Sequence, residues 1–278
     1  MNSSSPYQNN GIETVEVPQE PVTEDVHSKR RTHKKRNIFL ILVGLFILVP
    51  LLVAGWYGFV PGLSGLLGAN KPVDLGVRYT EADYNSYLQK TSIKFNDFAQ
   101  APDNPNKPGK KTVFADPVTT TGLTLTDEEL TSAGAKTDWL WMPLKNAQVK
   151  FKPGGLELSG NINVEYLDEF INFIGGVGYS QADVQKGIDY GKKLVGNSPA
   201  LYVKASASVT NDTLTYNIQQ VKVGRFSVPM DIASKVLSTG TTNAITGADN
   251  FEAKSATAID GALVFEGTYP KTIYVKTQ

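Results

Sequence analysis

Apolar and polar residues alternate over three stretches in the second half of the chain. Val149 and Phe151 alternate with Lys150 and Lys152. Pro153, Gly154 and Gly155 mark a turn, and Leu156, Leu158, Ile162 and Val164 resume the pattern. Leu201, Val203, Ala205, Ala207 and Val209 form a second apolar row. Asn211 and Asp212 turn the chain, and Leu214, Tyr216 and Ile218 follow. The apolar parity then shifts to Val221 and Val223, which predicts a bulge near Gln219 and Gln220. The third stretch carries Ala262 and Val264, a turn at Tyr269–Pro270, then Ile273 and Val275. A period of two with one polar face predicts half-buried antiparallel hairpins, giving a sheet of about six strands with Thr112–Thr120 as a seventh.

A one-sided sheet has to bury its apolar face, and the helical patterns supply the cover. Tyr166–Ile174 places Leu167, Phe170, Ile171 and Ile174 on one stripe. Ala182–Val195 carries Val184, Ile188, Leu194 and Val195. Pro229–Ser238 carries Ile232, Val236 and Leu237, with an extension toward Ile245. Two further helices start at Thr80 and Thr126, each followed by acids in the first turn. Their sequences repeat: Thr80 matches Thr126, Ser86 matches Ser132 and Lys90 matches Lys136. Duplication and convergence on the same cap chemistry both account for this. Thr126 and Glu129 have capping-box spacing, so Glu129→Ala is expected to cost about 0.5–2 kcal/mol. The predicted fold is α+β, an antiparallel hairpin sheet wrapped on two or three helices.

One element lies outside this scheme. Ile38–Val60 is uncharged and apolar, and as a helix it would span roughly 34 Å, enough to cross a hydrocarbon core of about 30 Å. Pro50 sits mid-span, where a bilayer tolerates a kink, and Trp56, Tyr57 and Phe59 suit an interfacial belt. Lys29, Arg30, Arg31, Lys34, Lys35 and Arg36 precede the run, whereas only Lys71 follows it before Arg78. The positive-inside rule then places residues 1–37 in the cytoplasm as a solvated tail and the C-terminal domain outside. The apolar run exceeds a signal-peptide core and reads as an uncleaved single-pass anchor. Residues 61–76 read as a juxtamembrane linker and 77–278 as an extracytoplasmic domain.

Composition narrows the chemistry. The 278 residues carry 27 Lys+Arg and 27 Asp+Glu, so no net field gathers nucleic acid. Cysteine is absent, and the two histidines, His27 and His33, precede the apolar run. The C-terminal domain therefore lacks the parts for a Ser-His-Asp triad, a Cys-His pair or a His-ligated metal, and no cofactor is expected. Adjacent carboxylates at Asp127–Glu129 and at Asp168–Glu169 fit neutralisation of helix N-termini better than a glycosidase pair. Gly175–Gly178 follows a helix and reads as its stop rather than a phosphate loop. Trp139 to Leu144, with Trp139 and Trp141, reads either as a buried segment under the sheet or as an apolar lip against lipid or ligand.

Three segments carry a family resemblance: Leu144–Gly160, Leu214–Pro229 with its step Gly224, Arg225, Phe226 and Pro229 into a helix, and Asp260–Pro270. They resemble the YpmS-like and LmeA-like membrane-anchored bacterial proteins over about residues 112–278. The resemblance implies a short cytoplasmic tail, one span and an extracytoplasmic sheet wrapped on a helix that leaves an apolar groove for phospholipid. The chain departs from the pattern by its loop at 101–111 and its helices at 166–195. Two functions follow as expectations. One is a non-catalytic binding protein for lipid or another acyl ligand, with Phe170, Ile171 and Phe226 as groove walls and Trp139 and Trp141 at the rim. The alternative is an envelope interaction protein with a closed core and a protein or cell-wall partner. A carboxylate hydrolase of envelope glycans ranks behind both.

Overall fold

The computed structural model describes residues 27–57, 60, 62–102, 113–195, 198–247 and 250–277, with side chains from Ile41 onward except at positions 64, 113, 193–195 and 245–247. The expected tail before His27, most of the loop at 101–111 and the side chains of Leu194, Val195 and Ile245 lie outside these. The chain divides into two units, Met1–Leu48 and Val49–Gln278.

Helix α1, His27–Tyr57, contributes the described part of the first unit and enters the second. From Ile41 onward its residues are uncharged and exposed except at Ala54, which is half-buried, and Gly55, which is buried; Phe46 is 81% exposed. Among the described residues no helix is long and apolar enough to cross a membrane.

The second unit is built on one mixed sheet of nine strands among the described residues. The helices are α2 (Leu63–Leu66), α3 (Glu81–Thr91), α4 (Asp127–Lys136), α5 (Leu167–Phe173), α6 (Gln181–Val195) and α7 (Met230–Gly247). The strands are β1 (Lys94–Asp97), β2 (Val113–Thr126), β3 (Leu144–Lys152), β4 (Gly155–Ile162), β5 (Ala200–Thr210), β6 (Thr213–Val223), β7 (Phe226–Ser227), β8 (Glu252–Ile259) and β9 (Ala262–Val275). The mixed α+β class therefore stands. The first two hairpins form as read: β3 pairs with β4, and β5 with β6 around Asn211 and Asp212, both at positive φ. The predicted bulge is present, because Lys204 faces Gln220 while Ala205 faces Ile218, leaving Gln219 extra.

Three expectations need correction. The sheet has nine strands rather than six or seven. It is not purely antiparallel, since β1 runs parallel to β9. The third hairpin turns at Asp260–Gly261, and Tyr269–Pro270 lies inside the long strand β9. Pro270 is tolerated there for a local reason. It faces Pro117 of β2, which also lacks an N–H. On the opposite edge β8 pairing ends at Thr268 and β1 pairing begins at Thr272, so no neighbour demands a donor from Pro270.

Two helical covers lie on this sheet. Helix α7 sets Ala233 against Val203, Ile218 and Val221, with Leu158, Leu201 and Leu237 around them. The predicted stripe of this helix needs correction: Leu237 packs inward, but Ile232 is 43% exposed and the buried position is Ala233, one residue on. Helices α3 and α4 place Tyr87, Ala133 and Leu130 beside Leu123 and Leu125 of β2.

Candidate functional site

Four strands set one row of side chains beneath α3 and α4. Leu123 of β2 faces Phe265 of β9, Phe265 faces Ala256 of β8, and Ala256 faces Val209 of β5. Directly opposed residues share a sheet face, so the row is continuous. A neighbouring pair, Leu125 and Leu263, extends it. Ala256 and Ala253 are too small to fill the space between Phe265 and Val209. The result is a cavity of about 280 Å³, bounded further by Tyr87, Thr91, Ile93, Leu130, Phe251 and Tyr269. Phe265 stacks on Phe251 at 5.8 Å and meets Tyr269 edge-on at 6.3 Å.

The polar groups of these walls are already satisfied. The Tyr269 hydroxyl donates to the Thr91 carbonyl at 3.1 Å, and the Thr91 hydroxyl donates to the Tyr87 carbonyl at 2.8 Å. Burial pushes the Tyr87 hydroxyl up to about 12 and raises that of Tyr269, so both stay neutral at physiological pH. The space therefore offers dispersion contact with no charge.

The roof above it is polar. Thr126 accepts from the Glu129 N–H at 3.2 Å, and the Glu129 carboxylate accepts in return from the Thr126 N–H at 2.9 Å. The same carboxylate accepts from the Ser86 hydroxyl at 2.5 Å and pairs with Lys90 at 2.7 Å. Lys136 of α4 pairs with Glu81 of α3. Each helix thus lays its last-turn lysine against the first-turn acid of the other, which makes the pair antiparallel and gives the sequence repeat a structural meaning. Burial pushes the Glu129 carboxyl up, but Lys90, Ser86 and the Thr126 amide outweigh it and hold it below the usual range. Asp127 shows the opposite balance. Burial raises it although its Oδ1 accepts from the Phe151 N–H at 2.8 Å.

The residues expected to form the site do not meet in one groove. Trp139 and Phe170 do come together, with ring centres 6.0 Å apart, and Phe173 and Phe114 complete an aromatic cluster. The Trp139 Nε1 is buried there without a partner. Ile171 is half-buried on α5, and Trp141 is buried. Phe226 is not a wall: it is 49% exposed, because β7 is a two-residue strand at the end of β6. Between α7 and the sheet, Ala233 is 4% exposed and brings the helix against the strands. Leu123, Leu125, Phe251, Phe265 and Tyr269 were not singled out from the sequence. Their alternation was visible in part, but their convergence depends on β2 pairing with β9 far along the chain.

A larger cleft, about 580 Å³, lies along the start of β3, among Arg78, Lys145, Asn146, Gln148 and Asn163. Its polar groups are largely committed to the fold. Arg78 is paired with Asp74, Gln148 accepts from the Leu75 N–H at 2.8 Å, and Asn163 donates to the Met142 carbonyl. The smaller apolar cavity is the better ligand site on that ground. Among the described residues no group of three or more His, Cys, Asp or Glu is placed to hold a metal ion. No protein-family model matches the chain, and neither a curated protein nor a solved structure is significantly similar to it.

Proposed function

We propose that this chain is a single-pass membrane protein whose extracytoplasmic domain binds an apolar chain, such as the acyl chain of a lipid, without transforming it. The observation that carries the reading is the cavity of about 280 Å³ under α3 and α4, with apolar walls and satisfied polar groups. It lies near the lower end of small-molecule sites, about 300–1,000 Å³, and each methylene buried there gains about 0.8 kcal/mol. The uncharged run Ile38–Val60 with its preceding bases supports the anchor and the orientation. The carboxylates nearest the cavity are engaged by lysine, hydroxyl and backbone partners, as expected of structural groups.

A diazirine-bearing fatty acid supplied to cells expressing the full chain tests this. After illumination, adducts are expected on α3 and β9 as well as on α1. Ala256→Phe, which fills the cavity, is expected to remove the α3 and β9 adducts and leave those on α1. Adducts confined to α1 in the wild type would sink the binding reading and favour an interaction protein with a closed core.

A further inference from the structure

Within the second unit, the end of α1 is fastened to the sheet. Leu63 and Leu67 fold back over Gly55, where an added Cβ would lie 2.6 Å from the Leu63 side chain. Arg225, in the turn between β6 and β7, ties both pieces down. Its Nη1 donates to the Trp56 carbonyl at 3.2 Å, its Nη2 donates to the Leu67 carbonyl at 2.7 Å, and its guanidinium lies 3.4 Å from the centre of the Trp56 ring. Gly224 adopts φ +60°, and a Cβ there would approach the Tyr57 carbonyl to 3.5 Å, so the turn comes in close.

Beside this clasp several large apolar side chains are exposed, with Ser227 and Asp231 exposed among them. Leu66 is 86% exposed, and Phe226, Met230 and Ile232 are exposed within seven residues of Arg225. Val49, Val53 and Trp56 of α1, in the same unit, are exposed as well. Large apolar side chains gathered in water mark a docking surface. Leucine, phenylalanine, methionine and isoleucine flanked by Trp and Arg suit a bilayer interface, with the apolar groups inserted and the Trp and Arg near the headgroups.

The geometry points to a membrane-docking face: Leu66, Phe226, Met230 and Ile232 enter the outer leaflet beside α1, and Arg225 locks the domain in that position. This rests on the reading of α1 as a membrane anchor. The occupant is lipid because Arg225 ties the patch to the end of a helix whose own exposed side chains are apolar. Trp56 is half exposed and held by Arg225, so whatever solvates its ring also reaches the turn that carries Phe226. The domain is thereby held against the bilayer and does not swing on a tether.

Because the chain has no cysteine, single cysteines report on this directly. Phe226→Cys, Ile232→Cys, Phe46→Cys and Asp260→Cys are each labelled with an environment-sensitive dye in the full chain. The proteins are reconstituted in phosphatidylethanolamine–phosphatidylglycerol vesicles containing spin-labelled lipid. Asp260 is the control. It pairs with Lys152 beside the β3–β4 turn, at the far end of the β4–β5 ladder from Gly224. Lipid quenching is expected at 46, 226 and 232 and not at 260. Quenching at 46 alone would overturn the docking face and keep the anchor. Quenching at none of 46, 226 and 232 would overturn both. A blue shift at 226 and 232 without lipid quenching would show that protein covers the patch and would also overturn docking. Arg225→Ala is expected to abolish quenching at 226 and 232 while sparing 46. Unchanged quenching in that variant would remove the clasp from the account.

Discussion

One sheet carries two helical covers, and they close differently. Under α7 the nearest side chain is Ala233, which lets the helix settle onto Val203, Ile218 and Val221. The interface is filled, as protein interiors normally are. Over β2, β8 and β9 small residues lie on helix α4, at Ala133, and also on the sheet, at Ala253 and Ala256. The covering helices are held to each other by Glu129 with Lys90 and by Glu81 with Lys136. Polar ties between α3 and α4 set their spacing independently of what the sheet beneath them fills. The alanine of α7 therefore lets that helix close on the sheet, whereas Ala253 and Ala256, on the sheet under a roof braced elsewhere, leave a gap.

The same substitution at the two places should separate them most. Ala233→Phe forces a ring into a filled interface and is expected to destabilise by about 3 kcal/mol. Ala256→Phe puts the ring into existing space and is expected to change stability by no more than about 1 kcal/mol either way. Thermal unfolding of both variants measures the difference. Equal losses would mean that the cavity is as closed as the α7 interface.

Removing the brace comes next. Glu129→Ala deletes the acceptor for Lys90, Ser86 and the Thr126 N–H at a site 3% exposed. The expected loss is about 2–3 kcal/mol, more than a cap alone would cost. Hydrogen exchange should place the loss in α3 and α4, with α7 protected as in the wild type. A loss spread evenly over both covers would break the distinction.

What could be read in advance follows the range of the interactions involved. The hairpins β3–β4 and β5–β6, the Gln219 bulge and the capped starts of α3 and α4 depend on near neighbours, and their patterns were plain. The packing of α7 was legible only in part: the β5 row is regular, but the apolar stripe pointed to Ile232, which is exposed, where the contact is made by Ala233. Strand β9 was misread because Tyr269–Pro270 has turn chemistry, and only the opposing Pro117, with β8 ending and β1 beginning on the other edge, makes a proline harmless there. The cavity was out of reach for the same reason. Its row runs through Leu123, Phe265, Ala256 and Val209, four residues on four strands whose neighbourhood no local period encodes. Trp139 and Phe170 were named as rim and wall of a groove; in the structure their rings meet each other and pack with Phe173 and Phe114.

Acid should open one cover and leave the other, and this is the smallest effect expected. Glu129 is held below its ordinary value of 4.5, so its contribution is fully present above that value and is lost as pH falls through the lowered folded value. Asp127 works in the opposite sense. Burial raises its pKa above 3.8, so its ionised form is a penalty at neutral pH that acid relieves. The two partly cancel, which keeps the net change in stability small, but both belong to α4. The α7 interface is built from Val203, Ile218, Val221 and Ala233 and has no proton to gain. Amide exchange followed from pH 6 downward should therefore show α3 and α4 losing protection before α7. Glu129→Gln should flatten that dependence, because an amide keeps part of the hydrogen bonding and cannot titrate. If α7 loses protection at the same pH as α3 and α4, the two covers unfold as one and the roof is not independently braced.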